Sequence, residues 1–339
     1  MLPSKVGPYE IQAEIGGNDR GRVFRAFDPR SNRETAVKML RSQSLFTLTG
    51  ERKFKEQLAL LQALSHPNLM PIIEFGDEDN RPFIVMPLMA GNLTQKMEAG
   101  PLPVGEVLDW FKGLAAGLDY AAVNGMVHHD LKPNNILFDV HGHPFVADLG
   151  IVQVIESLSA ANSPRVNPYY MSPEQVRKRK LNGLAQQYSL AAILFHALAG
   201  EVLFSGATEL VASFKHTSER PRSIRRLRPE LNEAFAEVLK RALSKEPDRR
   251  YPSTSAFVAE LVKAQGGAIT PEEVRPEPSS PSRPARAPSP TPPPVRSPAV
   301  QPAELTPAVR ARMILALGIS LAVCICGAVG VLLTLFETP

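Results

Sequence analysis

One stretch of the chain decides its fold: Val127-His128-His129-Asp130-Leu131-Lys132-Pro133-Asn134-Asn135-Ile136-Leu137. Apolar residues at both ends frame a short polar loop that carries a carboxylate (Asp130), a cation (Lys132) and an amide (Asn135). Apolar residues favour burial, whereas charged side chains are almost never buried without partners. The stretch therefore predicts a polar loop between two buried segments, with three chemically useful side chains close together.

A second acidic motif lies eleven residues beyond Leu137, where Asp148-Leu149-Gly150 follows the apolar run Pro144–Ala147. A carboxylate at the end of a strand, followed by glycine, suits a Mg²⁺ ligand. Phosphoryl transfer needs a carboxylate to orient the attacking hydroxyl, a cation against the transferred phosphate and oxygen ligands for a metal ion. Together the two motifs supply this set of groups.

The N-terminal region has two weaker signals. Glycines in the segment Ile15–Val23 would let the backbone approach phosphate oxygens, although an ordinary β-turn explains the same pattern. Lys38 ends the apolar run Ala36-Val37-Lys38. A lysine in this position needs an anion, either a carboxylate or a phosphate, unless it reaches solvent from a strand edge.

The polar part of the chain divides into two halves of different pattern. Up to about Met86 it is typical of short strands, with Val23–Phe27 paired to Thr35–Leu40, a further strand at Pro82–Met86 and one helix over about residues 50–64. Beyond Gly91 helical periodicity dominates. A β-rich half joined to a helical half predicts a cleft between them.

These ordered motifs resemble the protein kinases, specifically bacterial Ser/Thr kinases of the eukaryotic-like (Hanks) type, over about Tyr9–Leu261. The resemblance implies an α+β, bilobal kinase fold with a small β-rich N-lobe and a larger helical C-lobe. We expect the kinase domain to span residues 1–266, with the N-lobe at about 9–89 and the C-lobe at about 90–266.

The resemblance also implies the roles of individual residues. Asp130 matches the catalytic base and Lys132 the contact to the γ-phosphate, while Asn135 and Asp148 match the metal ligands. Glu56, in Phe54-Lys55-Glu56, matches the helix glutamate that pairs with the strand lysine. The implied cofactors are ATP and Mg²⁺, with Mn²⁺ as the alternative ion, and the implied substrates are proteins with Ser or Thr. The ATP-binding residues implied in this way are Ile15, Gly16, Gly21, Val23, Ala36, Lys38, Glu56, Met86 and Met89.

Four positions depart from the family's pattern. Asn18 replaces the middle glycine of the loop, and His129 replaces the arginine before the catalytic aspartate. Asn167 replaces a threonine, and Gln186 replaces the aspartate that braces the catalytic loop from a buried helix. Gln186 can still accept hydrogen bonds from backbone N–H groups of the loop, although it carries no charge. The main expectation is an ATP-dependent protein serine/threonine kinase. The alternative is a pseudokinase or scaffold that keeps the fold without efficient catalysis.

The C-terminal part has a different composition. Thirteen of the 32 prolines fall within residues 271–307, which predicts a disordered, Pro-rich juxtamembrane linker over 267–312. Residues 313–336 carry no charge, and 24 helical residues span roughly 36 Å against a hydrocarbon core of about 30 Å. We expect a transmembrane helix there, with a short external tail at 337–339.

Basic residues just before the apolar run, Arg310 and Arg312, place the kinase domain on the cytoplasmic side of the cell membrane in a single-pass protein. Small residues that recur every four positions allow a homodimer through this helix, although such residues are common in membrane helices. These are Gly318, Ala322, Cys326 and Gly330.

Charge and cysteine usage exclude other classes of function. The net charge is only +4 and no dense stripe of Lys and Arg stands out, so we expect no nucleic-acid partner. The only two cysteines, Cys324 and Cys326, lie in the apolar run. The polar part therefore has no disulfide framework, which fits a reducing compartment.

Overall fold

The computed structural model describes residues 2–18, 21–40, 48–79, 81–151 and 166–266. The predicted linker (267–312), transmembrane helix (313–336) and tail (337–339) lie outside these ranges. Within the described ranges, every helix is too short or too polar to cross a bilayer.

The N-terminal half is built on an antiparallel sheet with the strand order β1-β2-β3-β4-β6-β5. The predicted pairing of Val23–Phe27 with Thr35–Leu40 is confirmed, since Phe24 lies opposite Val37 and both are fully buried. In the first of these two strands burial alternates, since Phe24 and Ala26 are buried and Arg25 is exposed, whereas residues 35–38 of the second strand are all buried. The strands are β1 Lys5–Val6, β2 Tyr9–Asn18, β3 Gly21–Asp28, β4 Arg33–Leu40, β5 Glu74–Glu78 and β6 Arg81–Pro87.

Helix α1, Leu48–Ala63, packs against this sheet and corresponds to the helix predicted over residues 50–64. Among the side chains of α1 that the structure describes, Leu58 and Leu61 are buried, and both join the main hydrophobic core with Ile84 of β6. Gln62 donates hydrogen bonds to the carbonyl oxygens of Ile72 and Ile73, at 3.3 and 3.0 Å. These contacts fix the C-terminal end of α1.

The C-terminal half is helical. In α3 the predicted periodicity is confirmed, because Val107, Leu108, Phe111, Leu114 and Leu118 are all buried. Helix α5 is apolar on nearly all sides and is buried over most of its length, which is typical of a central core helix. The helices are α2 Leu93–Met97, α3 Val104–Val123, α4 Pro173–Val176, α5 Gly183–Ala199, α6 Glu209–Ser218, α7 Glu233–Ala242 and α8 Thr254–Ala264.

A small sheet, β7 Gly91–Asn92, β8 Ile136–Phe138 and β9 Pro144–Val146, carries the two motifs found in the sequence. The loop with Asp130 enters β8, and Asp148 follows β9. Because β8 and β9 are antiparallel, with Ile136 opposite Val146, the end of the loop and the start of the second motif lie side by side. This hairpin brings both motifs to the floor of the cleft between the two halves.

Candidate active site

A cleft of about 630 Å³ lies between the β-rich half and the helical half. Its upper wall comes from β2, β3 and β4, its back from the segment that follows β6, and its floor from β8 and the loop before it. Of the thirteen residues singled out in the sequence, eleven line this cleft. They are Ile15, Gly16, Gly21, Val23, Ala36, Lys38, Met86, Met89, Lys132, Asn135 and Asp148.

The polar loop holds Asp130 in a fixed orientation. One carboxylate oxygen accepts from the ammonium of Lys132 at 2.6 Å, and the other accepts from the backbone N–H of Asn167 at 3.1 Å. Asp130 is 1% exposed, and both of its partners line the cleft. The carboxylate therefore lies directly beneath the cleft, next to a cation.

Two buried side chains support this loop from below. His128 Nδ1 accepts from the N–H of Asp130 at 3.2 Å, and its Nε2 donates to the carbonyl oxygen of Ala147 at 2.9 Å. Burial lowers the pKa of His128 to about 4, so the ring is neutral at pH 7. Gln186 accepts from His128 N–H at 3.2 Å and donates to the Leu118 carbonyl at 2.7 Å. An uncharged amide thus still braces the loop, as the sequence predicted.

The loop is also tied to helix α4. Gln175 Nε2 donates to the carbonyl oxygen of His129 at 2.6 Å, while its Oε1 accepts from the N–H of Ser172 at 2.9 Å. Ser172 in turn caps the helix, because its hydroxyl accepts from Gln175 N–H at 3.3 Å. One side chain therefore serves both as a helix cap and as a contact to the residue before Asp130.

The oxygen atoms of Asn135 and Asp148 suit a hard divalent cation. Asn135 donates its amide N–H to the carbonyl oxygen of Asp130 at 2.8 Å, which leaves the amide oxygen as its donor atom for a cation. The described residues contain no group of three or more His, Cys, Asp or Glu side chains that could hold a metal by themselves. Two protein oxygens supplemented by phosphate oxygens and water match the way proteins usually hold Mg²⁺.

The anion that pairs with Lys38 is the carboxylate of Asp148. The ammonium of Lys38 contacts the carboxylate of Asp148 at 2.5 Å, across 110 residues of sequence, and the two side chains are only 5% and 14% exposed. Asp148 has φ of +59°, a strained conformation of the kind that collects at functional sites. The two residues that would hold phosphate and metal are thus in direct contact.

Glu56 does not lie in the cleft, and the expected contact between Glu56 and Lys38 is not made in this structure. The Glu56 side chain is 57% exposed and pairs with Arg52 at 2.9 Å, one turn earlier on α1. The physical reason is the phase of the helix. Leu58 and Leu61 are buried in the core on the opposite side of α1, so the side of the helix that carries Glu56 faces solvent.

The cleft also includes residues that were not predicted from the sequence to bind ATP. Leu137 and Ala147 belong to its floor, and Asn92, Gln95 and Asn134 to its rim. Asn134 and Leu137 lie within residues 127–137, so the motif around them could have indicated that they line the cleft. Asn92 and Gln95 cap helix α2 and had no signal of their own, because only the tertiary fold brings them to the rim.

Comparison with known proteins agrees with this geometry. The family model for the protein kinase domain matches residues 9–262. The chain belongs to the protein kinase family. The matched part of this protein kinase includes both the loop with Asp130 and the segment with Asp148.

Bacterial serine/threonine-protein kinases are among the curated relatives of this kinase. It is 31% identical over 262 residues to the serine/threonine-protein kinase PrkC of Bacillus subtilis, covering 76% of this chain and 40% of that protein. It is 31% identical over 278 residues to PknF of Mycobacterium tuberculosis, covering 79% and 58%. The kinase thus spans about two fifths to three fifths of the length of these relatives. The PknI kinase domain of Mycobacterium tuberculosis is a structural neighbour, with a TM-score of 0.62, 27% identity and coverage of 78% of this chain and all of that one.

Proposed function

We propose that this protein is a Ser/Thr protein kinase that transfers the γ-phosphoryl group of ATP to the hydroxyl groups of protein substrates. The observation that carries the proposal is the convergence of two cations and two carboxylates on a single cleft. Lys38, Lys132 and Asp148 line it, and Asp130 lies directly beneath it.

Each of these groups has a task for which its chemistry is suited. Asp130 orients the attacking hydroxyl and accepts its proton, while Lys132, 2.6 Å away, faces the charge of the transferred group. Lys38 holds the non-transferred phosphates. Asn135 and Asp148 would hold Mg²⁺ or Mn²⁺, which supplies charge neutralisation at the phosphate oxygens. Because phosphoryl transfer depends on positioning and electrostatic stabilisation, no covalent role for the protein is needed.

The adenine end of the cleft is apolar. Ile15, Val23 and Ala36 line it from above and Leu137 from below, with Met86 at the back. Pro87, Leu88 and Met89 form the connection between the two halves at this point. A flat apolar slot beside an exposed stretch of backbone suits a purine base, which needs stacking and a few backbone hydrogen bonds.

The second candidate is a pseudokinase, and one observation favours it: the family has other residues at the positions of Asn18, His129, Asn167 and Gln186. In the structure Asn167 still donates its backbone N–H to Asp130 and Gln186 still accepts from His128. The supporting hydrogen bonds of the loop are therefore kept, which supports the active enzyme.

The discriminating experiment is autophosphorylation of the full chain with labelled ATP and Mg²⁺, followed by phosphoamino-acid analysis. We expect label on Ser or Thr that Asp130→Asn abolishes. A pseudokinase would bind nucleotide with no label above the Asp130→Asn background. Label on Tyr alone would contradict the proposed substrate class.

We also propose that residues 313–336 anchor the kinase in the cell membrane with the kinase domain in the cytoplasm. The support is the uncharged 24-residue run and the preceding Arg310 and Arg312. Confinement to a surface would raise the effective concentration of substrates held there, and pairing of these helices into a homodimer would favour autophosphorylation in trans. Removing residues 313–339 should move the protein from the membrane pellet to the supernatant, and retention in the pellet would overturn the anchor.

A further inference from the structure

The inner face of helix α1 can be identified from two buried leucines. Leu58 is fully buried and Leu61 is 6% exposed. Leu61 packs so closely against Gly150 that a Cβ atom there would stand 2.6 Å from its Cδ2. Because Gly150 is two residues beyond Asp148, this face of α1 is turned towards the segment that carries Asp148. The helix and the active site therefore meet along the face of Leu61.

The position of each polar residue of α1 relative to this face follows from helix geometry. Successive residues are about 100° apart, so Glu56 lies about 170° from the direction midway between Leu58 and Leu61. Gln57 lies only about 70° from that direction. The burial agrees, since Gln57 is partly buried whereas Glu56 is exposed. Leu61 is also one turn after Gln57, on the same side of the helix.

Glu56 cannot reach Lys38 by a simple inward movement of α1. A shift of the helix keeps its inner face inward, so Gln57 stays on the side of the site and Glu56 on the side of solvent. Only a rotation by roughly half a turn would bring Glu56 inward. Such a rotation would expose Leu58 and Leu61, which the hydrophobic core now buries, so it is strongly unfavourable.

We propose that Gln57, and not Glu56, is the residue of α1 that faces Lys38, and that Asp148 alone provides the counter-charge of Lys38 before nucleotide binds. Gln57 is then an uncharged positioning residue at a place where the family has a carboxylate. This proposal rests on the function proposed above, because it concerns how the same site binds its nucleotide and metal ion.

A consequence follows for metal binding. Asp148 is both the partner of Lys38, at 2.5 Å, and one of the two side chains suited to Mg²⁺. Mg²⁺ held by this carboxylate would compete with Lys38, and the alternative partner of Lys38 would be a phosphate, because Gln57 offers it no charge. Two cations would share one carboxylate, so the requirement for free Mg²⁺ should be high. A carboxylate at position 57 would relieve this competition by giving Lys38 a second partner.

The experiment compares Gln57→Glu, Gln57→Lys and Glu56→Gln with the wild type in the full chain. The initial rate of autophosphorylation is measured against free Mg²⁺ at saturating ATP, and against ATP at saturating Mg²⁺. We expect Gln57→Glu to lower the half-saturating Mg²⁺ concentration at least fivefold, and Gln57→Lys to raise it or to abolish activity. Glu56→Gln should stay within twofold of the wild type, because that side chain faces solvent.

A purely structural role for Gln57 would change the melting temperature without shifting the dependence on Mg²⁺, and this outcome would overturn the proposal. So would a tenfold loss of activity in Glu56→Gln. ADP binding, measured by thermal shift over the same range of Mg²⁺, provides a readout that does not need catalysis. If the wild type binds ADP but shows no activity above that of Asp130→Asn, the proposed function fails. The inference about Gln57 is still tested in that case, because the binding assay compares the Mg²⁺ concentration that Gln57→Glu and Glu56→Gln each require for ADP binding.

Discussion

Arg250 and Glu174 form a bidentate ion pair inside the C-terminal half, although 76 residues separate them in the sequence. The two guanidinium nitrogens of Arg250 donate to the two carboxylate oxygens of Glu174 at 2.6 and 3.0 Å, and the side chains are 0% and 7% exposed. Arg250 also donates to the carbonyl oxygens of Leu184 and Ser244. The pair joins α4, which is tied to the loop of Asp130, to the segment that precedes α8.

Replacing Arg250 with Met should destabilise the domain by about 3–5 kcal/mol, because the carboxylate of Glu174 would remain buried without its partner. Arg250→Lys should recover only part of this loss, since an ammonium cannot form the two parallel hydrogen bonds. Chemical denaturation of the three proteins tests the expectation. Equal stability of Arg250→Lys and the wild type would show that charge alone is sufficient.

Asp148→Asn should lower the rate of phosphoryl transfer by a hundredfold or more, which corresponds to about 3 kcal/mol of transition-state stabilisation. The amide keeps the shape of the side chain but loses the charge that a metal ion requires. Single-turnover rates at saturating ATP provide the measurement. Asp109→Asn removes an exposed carboxylate that pairs with Lys112 at 2.9 Å, so it controls for the general loss of one negative charge. Activity of Asp148→Asn near that of the wild type would rule out the metal role.

Gln175→Glu should reduce kcat about tenfold, because a carboxylate cannot donate to the carbonyl oxygen of His129, and losing a buried hydrogen bond costs about 1–3 kcal/mol. Ser172→Ala is the matched control. It removes the helix cap, at about 1 kcal/mol of stability, but leaves the bond between Gln175 and His129 in place. Melting temperatures and steady-state kinetics separate the two effects. If both variants lost kcat equally, the cap would explain the result and the contact to His129 would not.

Stability should fall as the pH is lowered through the range in which buried histidines would take up protons. Burial lowers the pKa of His216 to about 3, and the nearby positive charge of Lys245 acts in the same direction. Its Nε2 donates to the Tyr169 carbonyl at 3.1 Å and its Nδ1 accepts from the hydroxyl of Tyr188. The unfolded chain binds the proton near pH 6.5, so the stabilisation is complete above that pH and is lost towards pH 3.

Between pH 7.5 and pH 5 the loss due to His216 amounts to about 2 kcal/mol. His216→Gln should be less stable at pH 7.5, because the fit of the ring between its two partners is lost, but its stability should depend less on pH. Urea denaturation at several pH values measures both slopes. Parallel slopes for the variant and the wild type would show that other groups cause the acid sensitivity.

The loop of Asp130 and the motif at Asp148 could be recognised from the sequence, because each contains its reactive residues within a few positions of one another. The same holds for the paired strands around Phe24 and Val37, because each strand contains its β-branched and aromatic residues within a few positions. The sequence pattern was sufficient to predict a group of functional residues wherever those residues lie within a few positions of one another. It also predicted that Gln186 would still accept a hydrogen bond from the loop, because that ability belongs to the side chain itself.

The contacts between distant segments required the tertiary structure. The sequence Lys55-Glu56-Gln57 offers a carboxylate and an amide side by side, and choosing between them depends on how α1 is rotated about its axis. That rotation is set by the burial of Leu58 and Leu61 against the core and Gly150, which are remote in sequence. The sequence alone therefore determined the family and the groups that its chemistry needs. The packing of α1 decided which side chain faces Lys38, because a helix turns through about 100° per residue and only its neighbours in space fix which side is inward.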